Sequence, residues 1–346
     1  MSDPVSYPSR RHPGPPSDGP LVDTHGRVHR DLRISVTDRC NFRCIYCMPE
    51  EGMQWLPRSE VLTFEEIARV ARVAHGLGVD NVRLTGGEPL VRAQLPVLVR
   101  LISEIGFSDL SLTTNGVGLP HLAPALAEAG LKRINVSCDS LRHDRFAEMT
   151  RRDSLPEVLD GMTAAELAGL SPLKVNVVLM AGVNDDEVLD FARFARDTNR
   201  VVRFIEYMPL DADHQWERPQ VVPGEVILEA IGAEWPLEPA SSRADDPAPA
   251  DRYRFADGRG EIGVITSVTR AFCGTCDRLR LTADGAIRNC LFARDELSVR
   301  DVMRSGGSDH DIAAVIRAAV WAKLPGHGIN DPGFLRPDRS MSLIGG

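Results

Sequence analysis

The chain has no apolar run long enough to cross a membrane, no apolar stretch near its N-terminus, no surplus of positive charge, and only seven cysteines in 346 residues. Each shortage excludes something. A transmembrane helix needs about 20 consecutive apolar residues, so a membrane protein is not expected. The opening segment MSDPVSYPSRRHPGPPSDGP is polar and rich in proline. It lacks the apolar stretch of a signal peptide, so export is not expected, and the expected location is the cytoplasm. Residues 1–29 read as a disordered extension. The net charge of −9 argues against a general nucleic-acid binder, although local arginines can still hold a phosphate ligand. An odd number of cysteines without a secretion signal does not make a disulfide framework. Hydrophobic and charged contents of 43% and 26% are those of an ordinary globular protein.

Between Leu32 and Met208, short strand patterns alternate with amphipathic ones. The strands are expected at Leu32–Thr37, Asn81–Thr85, Leu110–Thr114, Arg133–Ser137, Leu173–Met180 and Val201–Tyr207. Helices are expected at Phe64–Leu77, Leu119–Ala129, Leu155–Leu170 and Asp186–Arg196. Thr63 and Glu66 make a capping box before the first of them, with Ile67, Val70, Ala71, Ala74 and Leu77 on one face. Successive β/α units imply a parallel sheet with right-handed crossovers. The fold class is therefore α/β, an incomplete (β/α)6 TIM-type barrel over residues 30–215. A smaller C-terminal region spans 216–346, with a mobile loop at Pro236–Arg252, a strand at Glu261–Val268 and a helix at Asp309–Leu324.

Several strands alternate in a way that buried parallel strands usually do not. Arg33, Ser35 and Thr37 oppose Leu32, Ile34 and Val36, and Asn81, Arg83 and Thr85 oppose Val82 and Leu84. The same holds for Arg133, Asn135 and Ser137, for Lys174 and Asn176, and for Arg203 between Val202 and Phe204. With helices over the apolar face, the polar face lines the lumen. Arginines and a lysine cannot make a dry core, so the lumen is expected to hold polar, anionic ligands.

Six of the cysteines form two groups of three. Cys40, Cys44 and Cys47 follow the first strand with C-x3-C-x2-C spacing, and Cys273, Cys276 and Cys290 have C-x2-C-x13-C spacing. The ends of strands are where parallel barrels place active sites. Three soft thiolates suit an iron–sulfur cluster or zinc. A four-iron cluster takes four protein ligands when fully ligated, so three leave one iron open. For the first group a zinc site lacks a fourth ligand at finger spacing, since His29 and His75 lie elsewhere. For the second, a structural zinc ribbon completed by His310 or an acidic residue stays open on spacing alone. Arg278 and Arg280 alternate with Leu279 and Leu281, which puts two guanidinium groups on one face beside that group. Cys138 belongs to neither group and reads as a small buried residue.

The first group, with Tyr46 before its third cysteine, and Gly86-Gly87-Glu88-Pro89 after the second strand resemble the radical S-adenosylmethionine superfamily. The two cysteine groups together, with Thr113-Thr114-Asn115-Gly116, Arg203-Phe204-Ile205-Glu206-Tyr207-Met208-Pro209 and the terminal Gly345-Gly346, resemble the GTP 3′,8-cyclase family of molybdenum-cofactor synthesis. That resemblance implies two [4Fe-4S] clusters, one on each cysteine trio, with S-adenosylmethionine on the first and the guanine of GTP on the second. It implies that Tyr46, Gly87, Ser137 and Met208 contact S-adenosylmethionine and that Glu88 accepts from its ammonium group. GTP would be bound by Arg33, Arg83, Thr113, Lys174, Arg278 and Arg280. Arg278, Arg280, Gly345 and Gly346 are implied in catalysis, the last two through a tail that reaches into the active site. The resemblance also implies a reducing electron donor, handover of product to cyclic pyranopterin monophosphate synthase and, by analogy, a homodimer. Two alternatives remain at this level: another radical enzyme with an auxiliary cluster that acts on a peptide, and a non-catalytic zinc or iron–sulfur module.

Overall fold

A computed structural model describes residues 14–241 and 248–345. Strands β1 (Asp31–Ser35), β2 (Asn81–Thr85), β3 (Asp109–Thr114), β4 (Arg133–Ser137), β5 (Leu173–Leu179) and β6 (Val201–Glu206) pair in sequence order, all parallel. Between them run α1 (Phe64–Gly76), α2 (Leu95–Ser103), α3 (Leu119–Glu128), α4 (His143–Thr150), α5 (Leu155–Leu167) and α6 (Val188–Thr198). The chain then adds α7 (Gly224–Glu234), β7 (Leu237–Ser241), β8 (Asp251–Phe255), β9 (Glu261–Ile265), β10 (Arg278–Leu281), β11 (Ala286–Arg288) and β12 (Leu297–Ser298). Helices α8 (Val299–Arg304), α9 (Asp309–Trp321) and α10 (Met341–Ile344) follow. No helix among the described residues is long and apolar enough to cross a membrane.

The late strands extend the early sheet. β9 pairs parallel with β6, and β10 pairs parallel with β1. The order β12-β11-β10-β1-β2-β3-β4-β5-β6-β9-β8-β7 has two ends, which makes an arc rather than a closed barrel. The strand alternation sets its two faces. Leu32, Ile34, Val82, Leu84, Val136, Val175 and Phe204 are at most 1% exposed and pack under the helices. On α1 the capping box forms, with Thr63 and Glu66 each bonding the other's backbone N–H. The face it buries is Ile67, Ala68, Val70, Ala71 and Ala74, the Ile and Val side chains each contributing about 1.5–3 kcal/mol of burial. Glu206, at the end of β6, is fully buried and accepts from the backbone N–H groups of Gly224, Val268 and Thr269 and from the Thr269 hydroxyl. One carboxylate thus ties β6 to the start of α7 and to the turn after β9.

Several expectations need correction, among them the strand expected at Glu261–Val268, which ends at Ile265. Residues 1–13 lie outside the described residues, but the rest of the extension is not disordered. Leu21, Asp23 and His29 are buried, Val22 bridges Val28, and Asp23 accepts from Arg27 at 2.5 Å. A buried ion pair and an apolar anchor outweigh the segment's proline-rich start. Within Pro236–Arg252, residues 242–247 also lie outside the description, yet the flanks form the antiparallel pair β7–β8. Pro239 is tolerated because β7 is the edge strand, and Phe255 closes the hairpin against Trp235. The helix expected to reach Leu170 stops at Leu167, where Gly169 takes φ of +82°. The helix expected to reach Leu324 stops at Trp321, and Lys323 turns inward.

Candidate active site

The polar faces of the strands surround a cavity of about 270 Å³. Arg33, Arg83, Thr113, Ser137, Asn176 and Arg203 line it from β1 to β6 in turn, and Arg278 and Arg280 line it from β10. The register explains their convergence: Arg280, Arg33 and Arg83 are direct neighbours across β10, β1 and β2. Both cysteine trios open onto this same space, as do Tyr46, Gly87, Glu88 and Met208. Lys174 and Gly345 do not line it directly. Lys174 lies two residues nearer the start of β5 than Asn176. Burial, Arg203, Arg133, Arg252 and Arg83 push its pKa down to about 8.

The lumen is unbalanced in charge. Burial pulls the Arg33 guanidinium well below its ordinary pKa, and Arg83, Arg278 and Arg280 add to the effect. Burial and Arg278 bring Arg280 down to about 10, while burial, Arg83 and Arg133 bring Arg203 to about 9. Asp31, which pairs in register with Arg278, offsets part of this. The Arg33 Nε is buried without a hydrogen-bond partner. Clustered cations with an orphan donor need an anion of several charges.

The first cysteine loop and the Gly86-Gly87-Glu88-Pro89 turn lock together through their backbones. The Gly87 N–H donates to Thr37 O (2.8 Å) and the Glu88 N–H to Arg39 O (2.7 Å). A Cβ on Gly87 would meet Asp38 O at 2.5 Å and Arg39 O closer still. The glycines therefore let this turn approach the cysteine loop closely. Gly87→Ala is expected to lower stability by about 1–3 kcal/mol and to weaken S-adenosylmethionine binding by about tenfold or more. Denaturant midpoints and equilibrium dialysis check both, and wild-type values in each would contradict the account. Glu88 is also occupied structurally, accepting from Leu90 N, Asn115 N and the Thr114 hydroxyl. Burial raises its pKa to about 7. Tyr46 donates to Asp139 (2.6 Å), whose other oxygen accepts from Val178 N, which fixes the ring against the cavity wall.

The two trios differ in electrostatic setting. Burial, Asp139 and the neighbouring Cys47 and Cys40 push the Cys44 thiol up, so a bound cation is needed to hold the first trio as thiolates. Burial also raises Cys276, but Arg278 and Lys323 outweigh it and bring that thiol down to about 6. Among the described residues no three His, Cys, Asp or Glu side chains form a ready-made site for a single metal ion. The donor sets fit a larger iron–sulfur group, as soft thiolates arrayed on the wall of a cavity that also admits a non-protein ligand.

The C-terminal tail reaches the cavity wall, where Met341 and Ser342 line it. Gly345 is buried, its carbonyl accepts from Arg280, and a Cβ there would lie 2.9 Å from Ser35 Cβ. Gly346 lies outside the described residues. Cys138 is buried against Ser140 O and, unlike both trios, does not line the cavity. The sequence reading gave no site role to Asn176, Arg203 and Asp139, although Arg203 stood out in the alternation and Asp139 follows the polar end of β4.

Residues 34–195 match the radical SAM superfamily, and residues 200–329 match Molybdenum Cofactor Synthesis C. The GTP 3′,8-cyclase of Streptomyces coelicolor is 50% identical over 94% of this chain and 96% of its own length. GTP 3′,8-cyclase 2 of Mycobacterium tuberculosis is 50% identical over 96% and 93%. The structure of Streptococcus suis SuiB bound to S-adenosylmethionine superposes with a TM-score of 0.58 at 12% identity, over 94% of this chain and 77% of that one, which supports the fold alone. Half the residues shared along nearly the full length, with both halves of the chain matched in order, place it in the GTP 3′,8-cyclase family of radical S-adenosylmethionine enzymes.

Proposed function

We propose that the chain converts GTP to its isomer 3′,8-cyclo-7,8-dihydroguanosine 5′-triphosphate in molybdenum-cofactor synthesis in the cytoplasm, using S-adenosylmethionine and two [4Fe-4S] clusters. The observation that carries the reading is one cavity shared by both cysteine trios and a cluster of under-neutralised arginines. Cys40, Cys44 and Cys47 would hold one cluster, and Cys273, Cys276 and Cys290 the other. When bound, these groups with S-adenosylmethionine supply one-electron cleavage and hydrogen-atom abstraction.

The protein's own part is binding, orientation and exclusion of water. Arg33, Arg83, Arg278 and Arg280, with Lys174 beyond them, neutralise a triphosphate whose charge matches their excess. Thr113 adds a hydroxyl to the same wall. Tyr46, Gly87, Ser137 and Met208 position S-adenosylmethionine. The tail at Gly345 accepts from Arg280 and keeps its guanidinium in place. A reducing electron donor supplies the first centre, and the product passes to cyclic pyranopterin monophosphate synthase.

The test uses reduced, oxygen-free protein with S-adenosylmethionine and GTP carrying deuterium at ribose C3′. The reading predicts a product with the atoms of GTP, one deuterium replaced by hydrogen, and that deuterium in 5′-deoxyadenosine. Unlabelled 5′-deoxyadenosine with GTP unchanged would overturn it.

A further inference from the structure

The second cysteine group is gripped from behind by residues distant in sequence. Lys323 is 4% exposed and spends its ammonium on one segment. Its Nζ donates to Cys276 O at 3.1 Å, to Cys276 Sγ at 3.5 Å and to Arg278 O at 2.9 Å. Every ammonium donor is thus directed at the stretch that carries the middle cysteine and the arginine beside it. Among the described residues no carboxylate pairs with it. A buried lysine without an acid is costly, and the group that takes the place of its counter-ion here is the Cys276 sulfur.

The lysine is held at that distance by a second brace. Arg27 donates to Cys273 O (2.7 Å), Leu324 O (2.7 Å) and Pro325 O (3.1 Å). It therefore ties the residues after Lys323 to the first cysteine of the same group. Asp23 in turn fixes Arg27 at 2.5 Å and meets His29 at 3.1 Å. Lysine, cysteine loop and N-terminal segment form one connected unit.

We infer that Lys323 is a positioning residue for the second iron–sulfur centre, which fixes the Cys276 thiolate and withdraws electron density from it through an N–H···S hydrogen bond. The inference rests on the proposal that this trio holds a cluster. Hydrogen bonds to ligand sulfurs and nearby positive charge make a cluster easier to reduce, and the first trio has no lysine among its hydrogen-bond partners in the described residues. The two centres are therefore set apart in potential by the protein, with the second held easier to reduce than its ligand set alone would make it.

The experiment is a redox titration of reconstituted wild-type, Lys323→Met and Lys323→Arg proteins, followed by electron paramagnetic resonance at both centres with iron counted per chain. In Lys323→Met the second centre is expected to shift negative by a factor of about ten in its reduced-to-oxidised ratio, about 59 mV for a one-electron couple. The first centre stays in place, and Lys323→Arg recovers most of the shift. Loss of the second cluster alone in Lys323→Met, with its recovery in Lys323→Arg, also supports the role, because the thiolate then depends on the cation. An unshifted second centre in Lys323→Met, or an arginine variant no better than methionine, overturns the inference. Wild-type protein with iron at one centre only would instead overturn the two-cluster reading.

Discussion

Replacing Cys273, Cys276 and Cys290 together by alanine is expected to abolish conversion of GTP while reductive cleavage of S-adenosylmethionine continues. The same replacement at Cys40, Cys44 and Cys47 is expected to abolish both. The two trios sit on different supports. The first is locked to the Gly86–Pro89 turn through Thr37 and Arg39. The second is held by Lys323 and Arg27. Because the supports do not share residues, losing one trio leaves the other's scaffold intact. Each triple variant is expected to retain about four irons per chain after reconstitution, half of the full complement. Iron analysis, 5′-deoxyadenosine yield and product mass measure the three outcomes. GTP conversion by the first variant, or loss of S-adenosylmethionine cleavage in it, would contradict the division of labour.

Arg280→Met is expected to move function and stability apart. In the free protein Arg280 is buried beside Arg33 and Arg278, and burial and Arg278 pull its pKa down. A self-repelling cation replaced by an apolar chain of similar length leaves a folded protein at least as stable, since buried charges are often neutral or costly against well-packed apolar substitutes. Binding moves the other way. A charge-assisted hydrogen bond to phosphate is worth about 1.5–3 kcal/mol, which is about 10- to 100-fold in affinity. The variant also loses the donor to Gly345 O, so the tail loses its anchor and turnover falls further, by about 1,000-fold in all. Calorimetric unfolding and GTP binding, both on oxygen-free protein, give the two signs. A marked drop in the unfolding temperature with GTP affinity unchanged would mean that Arg280 is structural.

Much of the barrel was legible because its strands carry two messages at once. The apolar residues Leu32, Ile34, Val82 and Leu84 mark the helix-covered face. The arginines between them mark a wet lumen, and the structure places Arg33, Arg83 and Arg203 on the cavity wall. The cysteine spacings were legible because ligands close in sequence are local geometry. What sequence could not supply is long-range pairing. Nothing in the segment around Asp23 and Arg27 announces that it braces Cys273, some 246 residues away. Lys323 reads as the end of a helix until the chain turns after Trp321. The glycines of the Gly86–Pro89 turn stand out in the sequence, but their spatial constraint from the backbone of Thr37, Asp38 and Arg39 appears only in the fold. Local pattern cannot tell a backbone packed on a ligand from a backbone packed on a backbone.

The central claim is that GTP lies within reach of the second cysteine group, in the same chamber as the first. The most direct measurement is electron–nuclear double resonance on the reduced wild-type protein, with GTP labelled with ¹⁵N in the guanine ring. The account predicts ¹⁵N coupling at the second centre, lost in the triple variant of Cys273, Cys276 and Cys290, while S-adenosylmethionine perturbs only the first. A far centre whose spectrum is identical with and without saturating GTP would contradict it.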